Sequence, residues 1–189
     1  HFTALGDDLR ARAAHCAAGG QPLRIWCSAA STGEEPYSLA MTAVEALGAS
    51  ARVEILASDI DTNVLATAER GVYGADSRGL GAERLRRHFQ RGTGANEGRV
   101  RVRPELARLV RFATFNLVNG DWSRLGPPFD IVFCRNVMIY FDAATQRRVL
   151  QRMHGVLRPG GLLYVGHSEN FSDARDLFRL RGKTIYERV

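Results

Sequence analysis

Four short apolar runs, Leu23–Cys27, Val53–Ser58, Phe129–Cys134 and Leu162–Gly166, alternate along the chain with stretches of helical periodicity. Strands separated by a helix return to the same end of a sheet only through a crossover, so this alternation predicts a parallel sheet covered by helices. Phe129-Asp-Ile-Val-Phe-Cys134 is almost wholly apolar, as a strand packed on both faces requires. After the turn Ser28–Gly33, the residues Leu39, Ala40, Ala43, Val44 and Leu47 recur with the 3.6 period, and Thr32 with Glu35 three places on predicts a capping box. Asp61 is placed to cap a second helix carrying Val64, Leu65 and Ala68 and stopping at Gly71, and Asp142 to cap a third, buried through Val149, Leu150, Met153, Val156 and Leu157. Leu177–Leu180 and Thr184–Arg188 predict an antiparallel edge hairpin around Gly182. The fold class expected is α/β.

The alternation breaks between about Tyr73 and Val110. A short helix near Ala82–Phe89, a glycine-rich turn from Gly92 to Gly98, the alternating Arg99-Val-Arg-Val-Arg103 and the run Leu109–Phe115 predict a small antiparallel β-subdomain inserted at about residues 88–112. Arg99, Arg101 and Arg103 belong on its exposed face, with Val100 and Val102 opposite. The 189 residues suit one domain with such an insertion. With 45% hydrophobic and 24% charged residues, the composition is globular, and no apolar run approaches the ~20 residues of a membrane helix. A cytoplasmic location without membrane insertion is expected. Cys16, Cys27 and Cys134 show no Cys-x-x-Cys spacing and read as buried thiols. A net charge of +6 favours an acidic partner. Opening on His1 rather than Met, the chain is expected to be preceded by a further segment.

In an open parallel sheet, ligands bind beyond the carboxyl ends of the strands. Those positions are polar here: Ser28–Glu35, Asp59, Asn116-Leu117 and Arg135-Asn136. Neither a P-loop nor a G-x-G-x-x-G is present. A carboxylate after the second strand, Asp59, suits the two hydroxyls of a ribose, while Glu34 and Glu35 would repel a pyrophosphate and welcome a cation. A nucleoside with a cationic amino-acid tail is S-adenosylmethionine. Asp59 also fits as a helix-initiating acid, and Glu35 as the capping-box partner. His167-Ser168-Glu169 lacks a nucleophile elbow, no histidine pair has i, i+4 spacing for a metal, and the arginines of 99–103 lack the aromatic platform of a single-strand nucleic-acid binder.

The segments Ser28-Ala-Ala-Ser-Thr-Gly-Glu-Glu-Pro-Tyr-Ser38, Ala57-Ser-Asp-Ile-Asp61, Phe133-Cys-Arg-Asn-Val-Met-Ile-Tyr-Phe-Asp142 and Gly166-His-Ser-Glu-Asn-Phe171 resemble the bacterial chemotaxis receptor methyltransferases, the CheR family, in order over essentially the whole chain. The resemblance implies a Rossmann-like sheet that binds S-adenosylmethionine, releases S-adenosylhomocysteine and methylates glutamate γ-carboxylates of chemoreceptors. It implies that Glu35, Asp59, Asn116, Leu117, Arg135 and Asn136 line the cofactor. Tyr140 would face the reacting centre, with Arg135 beside it. No metal is implied. It also implies an upstream helical domain. Arg99, Arg101 and Arg103 would grip a receptor's carboxyl-terminal pentapeptide, with no nucleic acid involved. A non-catalytic module that binds S-adenosylmethionine or a receptor tail is the alternative.

Overall fold

The computed structural model describes residues 1–18, 20–50, 52–76 and 79–189. Helix α1 (Phe2–Ala18) leads into β1 (Leu23–Cys27), α2 (Glu34–Leu47), β2 (Val53–Asp59) and α3 (Thr62–Arg70). Then come β3 (Val72–Gly74), α4 (Ala82–His88), β4 (Phe89–Arg91), β5 (Arg99–Val102) and α5 (Pro104–Ala107). The chain finishes with β6 (Val110–Thr114), β7 (Phe129–Cys134), α6 (Ala143–Val156), β8 (Leu157–Val165), β9 (Phe178–Gly182) and β10 (Ile185–Arg188). The main sheet has the order β6-β2-β1-β7-β8-β10-β9. Its first five strands are parallel, and β10 runs antiparallel to both β8 and β9, giving the edge hairpin expected around Gly182.

Alternate residues of the central strands feed two cores, which explains why their sequence is apolar throughout. Ile25, Ile131, Phe133, Leu162 and Tyr164 join Leu39, Ala40 and Met41 of α2 and Leu5 and Leu9 of α1 on one face. Trp26, Val132, Cys134, Leu163 and Val165 join Val149, Leu150 and Met153 of α6 on the other. Each large side chain buried there contributes about 1.5–3 kcal/mol. Helix α1 leaves little trace in the apolar pattern, because Leu5 and Leu9 are its only fully buried side chains among those described. Asp61 caps α3 by accepting from the Asn63 N–H at 2.7 Å, and Asp142 caps α6 by accepting from the Thr145 N–H at 2.7 Å. Cys27 and Cys134 are buried free thiols, whereas the side chain of Cys16 lies outside the described residues. Among the described residues no helix is long and apolar enough to cross a membrane.

The small sheet has the order β3-β5-β4 and spans Val72 to Val102, earlier than residues 88–112. Val72–Gly74 is too short to announce itself as a strand, and within the run Leu109–Phe115 the residues Val110–Thr114 form β6, which pairs with β2 at the edge of the main sheet. Val100 and Val102 are buried in the first core while Arg99 and Arg101 are exposed, as the alternation requires. The basic strand is not an edge, since β5 lies between β3 and β4. Arg103 falls outside β5 at the N-cap of α5, where its guanidinium donates to the Arg86 carbonyl at 3.3 Å.

Candidate active site

The loop after β1 is tied to both neighbouring strands. The Ser28 N–H donates to the Phe133 carbonyl at 2.9 Å and the Ala30 N–H to the Ser58 carbonyl at 2.8 Å. Ser31 then takes a left-handed conformation, φ 48°, and its N–H donates to Asp59 Oδ2 at 2.8 Å. Asp59 Oδ1 accepts from the Asp61 N–H at 3.1 Å. A carboxylate has about four acceptor positions, so this one is fixed by two bonds and keeps capacity for two more. At Gly33, φ 98°, a Cβ would come within 2.7 Å of the Tyr73 hydroxyl and 2.9 Å of the Ala68 side chain, so only glycine fits. The Tyr73 hydroxyl donates to the Thr32 carbonyl at 2.8 Å and links the small sheet to this loop.

The capping box does not form. Gly33 is the N-cap of α2 without a side-chain cap bond, and the Thr32 hydroxyl donates instead to Glu34 Oε2 at 2.6 Å. Glu35 turns inward. Its Oε2 accepts from Arg135 at 2.5 Å and its Oε1 from the Cys27 thiol at 3.4 Å. A cap is worth about 1 kcal/mol, and a carboxylate–guanidinium contact is the stronger of the two. Arg135 and Glu35 expose 23% and 19% of their side chains, so the pair is largely withdrawn from water. Burial raises the Glu35 carboxyl above the ordinary carboxylate range, although Arg135 pulls it down. Burial also pushes the Cys134 thiol up to about 12 and the Cys27 thiol well above its usual value, which makes both poor nucleophiles. Arg135 Nε is buried and has no hydrogen-bond partner among the described residues.

A raised carboxyl in the folded state stabilises below the unfolded value of about 4.3, and that contribution is lost as pH rises through the folded value. We therefore expect Glu35→Gln to flatten the decline in stability between acid and neutral pH, and to leave the neutral protein at least as stable as the parent. Urea titrations at pH 4.5 and pH 7.5 check this. A decline as steep as the parent's would exonerate Glu35.

After β6, Asn116 Oδ1 accepts from the Val118 and Asn119 N–H groups at 2.8 and 3.1 Å, and Leu117 is buried in the second core. Leu117 thus offers the rim its backbone rather than its side chain. After β7, Asn136 is exposed and left-handed, φ 59°, and the 3₁₀ turn Met138–Tyr140 presents Tyr140, 79% exposed. Asp59 is therefore the last residue of β2, Asn116 and Leu117 follow β6, Arg135 and Asn136 follow β7, and Glu35 lies in the first turn of the helix after β1, all at the carboxyl ends of parallel strands. Arg99 and Arg101 stand apart from this rim on the small sheet. Two residues outside the expected set also stand near these strand ends: Ile60, which is 65% exposed between Asp59 and Asp61, and Glu169, which is buried. An isoleucine set between two aspartates was the available signal for the first. An acid within the Gly166–Phe171 segment was the signal for the second.

Residues 1–186 match the family model described as CheR methyltransferase, SAM binding domain. The chain belongs to this family. It is 50% identical over 188 residues to the chemotaxis protein methyltransferase of Escherichia coli (strain K12), covering 98% of this chain and 63% of that protein. It is 52% identical to chemotaxis protein methyltransferase 2 of Pseudomonas aeruginosa, with 98% and 65% covered. The chain thus spans under two thirds of the length of these curated relatives. An O-methyltransferase family protein from Burkholderia thailandensis shares the fold at a TM-score of 0.51 and 16% identity, covering 93% of this chain and 41% of that one. The CheR domain here accordingly shares its α/β fold with that protein and has a small antiparallel sheet beside its main one.

Proposed function

We propose that this CheR domain carries the cofactor site of a cytoplasmic protein-glutamate O-methyltransferase, which transfers a methyl group from S-adenosylmethionine to glutamate γ-carboxylates of chemoreceptors. The observation that carries the reading is the Glu35–Arg135 pair. It sets a half-buried carboxylate beside a buried guanidinium N–H that has no partner among the described residues. That donor set fits a zwitterionic amino acid, with Glu35 taking the ammonium and Arg135 Nε the carboxylate. Asp59, held by Ser31 and Asp61, has acceptor positions left for ribose hydroxyls. The exposed Ile60 beside it offers an apolar surface to a base. Asn116, Leu117 and Asn136 complete the rim.

S-adenosylmethionine supplies an electrophilic methyl group on a sulfonium. The chain has little acid or base work to do, because a glutamate with a pKa of about 4.3 is already ionised at neutral pH. Its task is to align the two groups and exclude water, since a carboxylate and a sulfonium that neutralise each other react better out of water. In this reading the exposed Tyr140 hydroxyl orients the substrate carboxylate. Arg135 serves the reaction by holding Glu35 through one guanidinium nitrogen and the cofactor's carboxylate through Nε, rather than by contacting the receptor carboxylate.

The intact protein is expected to place base-labile radiolabel on a receptor cytoplasmic fragment. Tyr140→Phe is expected to lower kcat about tenfold and leave the affinity for S-adenosylhomocysteine unchanged. Binding of the cofactor with no ester formed on any receptor fragment would favour the non-catalytic module instead.

A receptor's carboxyl-terminal pentapeptide is the second ligand in this reading. A groove of about 530 Å³ runs along edge strand β4 and is lined by Phe89, Gln90, Arg91, Arg99 and Arg103 among others. A peptide added to β4 would take backbone pairing from that edge and charge attraction from the arginines. Arg99→Ser with Arg103→Ser is expected to weaken peptide binding and its salt dependence while sparing S-adenosylhomocysteine affinity, as calorimetry at low and high salt would register. Unchanged peptide affinity at low salt would sink this assignment.

A further inference from the structure

Glu169 lies in the turn after β8, with its N–H donating to the Gly166 carbonyl at 3.1 Å. It is 5% exposed. Its carboxylate accepts four backbone hydrogen bonds. Oε2 takes the N–H groups of Gly166 and Asn136 at 2.6 and 3.1 Å, and Oε1 takes those of Val137 and Met138 at 3.1 and 2.9 Å. All four acceptor positions of the carboxylate are therefore used by main chain. Three consecutive N–H groups converging on one anion form a nest, a concavity that the left-handed Asn136 makes possible. The anion that fills it belongs to the chain itself.

That nest is the loop between Arg135 and Tyr140. On its carbonyl side, the Gln146 amide donates to the Met138 and Phe141 carbonyls at 2.9 and 3.1 Å. The Tyr140 N–H donates to the Val137 carbonyl at 3.2 Å, and Met138 is fully buried. The turn that presents Tyr140 is thus clamped from both sides, while the Tyr140 side chain itself is exposed. The approach of the two loops is close. A Cβ at Gly166 would come within 2.6 Å of Asn136 Oδ1 and 2.9 Å of Glu169 Oε2.

We propose that Glu169 is a positioning residue for methyl transfer: its carboxylate holds the 135–140 loop in the shape that presents Tyr140, without touching substrate or cofactor. The inference rests on the proposed role of Tyr140, and its test separates the two. Glu169→Gln keeps the size of the side chain but replaces one acceptor oxygen by a donor, so two of the four N–H groups lose their partner. In the protein without cofactor, hydrogen exchange of the Asn136, Val137 and Met138 amides should accelerate about a hundredfold, while the central β7 amides keep their protection. In the intact protein, kcat on a receptor fragment should fall about thirtyfold, with KM and the Kd for S-adenosylhomocysteine changing less than about threefold. Adding Tyr140→Phe to Glu169→Gln should cost little more. Should Glu169→Gln fail to fold, Glu169→Asp, which keeps the charge on a shorter stem, serves the same measurements with smaller losses. Unchanged amide protection, parental kcat, or full additivity with Tyr140→Phe would each overturn the proposal. If Tyr140→Phe alone is silent, the reading of Tyr140 fails. The exchange arm together with kcat of the Glu169 variant then still judges Glu169, parental kcat counting against it.

Discussion

Arg135→Ala is expected to destabilise the protein by about 2–3 kcal/mol at pH 7.5, below the ~3–5 kcal/mol typical of a fully buried pair because both partners keep some solvent contact. The loss comes from Glu35, left with the weak Cys27 thiol as its remaining partner among the contacts described. Its carboxyl, already raised by burial, rises further once the guanidinium is gone. By the same linkage, the deficit grows as pH rises and shrinks in acid, where Glu35 takes up a proton. Combining Arg135→Ala with Glu35→Gln should restore most of the stability, because an amide carries no charge to strand. Denaturant titrations of the two single variants and the double variant at pH 5 and 7.5 measure this. Equal losses at both pH values, or no recovery in the double variant, would mean that the pair is not the source.

Asp59→Ala is expected to raise the Kd for S-adenosylhomocysteine by about thirtyfold or more, since each charge-assisted bond to a ribose hydroxyl is worth ~1.5–3 kcal/mol before water replaces part of it. A second loss accompanies the first. Without the Asp59 carboxylate, the Ser31 N–H has no acceptor and the left-handed turn at Ser31 loses its anchor. Asp59→Asn keeps one acceptor oxygen and should fall between the parent and the Ala variant. Calorimetric titration with S-adenosylhomocysteine, alongside a melting curve, decides the matter. A folded Ala variant with the parental Kd would remove Asp59 from the site.

The parts of this molecule that the sequence announced are those governed by local or periodic rules. The central strands are apolar on both faces, Asp61 and Asp142 precede their helices, and the candidate rim residues follow strand ends. What it concealed depends on contacts distant in the chain. Glu35 reads equally well as a capping-box acid until Arg135, a hundred positions away, is seen to claim it. Val72–Gly74 becomes a strand only because β5 pairs with it. Glu169 sits in a motif of hydrolase-like residue types, and nothing local tells that three of its four donors come from the loop after β7. Helix α1 hides because two leucines bury it.

The small sheet is not an appendage on a swivel. Phe89, Val100 and Val102 are part of the main core, and the Tyr73 hydroxyl is fastened to the Thr32 carbonyl beside the strand ends. Whatever seats itself on that sheet is therefore held at a constant span from the candidate methyl-transfer rim. This chain's side of such a tether contributes no slack, and reach is decided by the partner's own linker, whose effective concentration peaks where its mean length matches the span and falls away on either side. Side chains along a partner would then be ranked by their distance from the docked end, as marks along a ruler, before any preference of the site itself is felt.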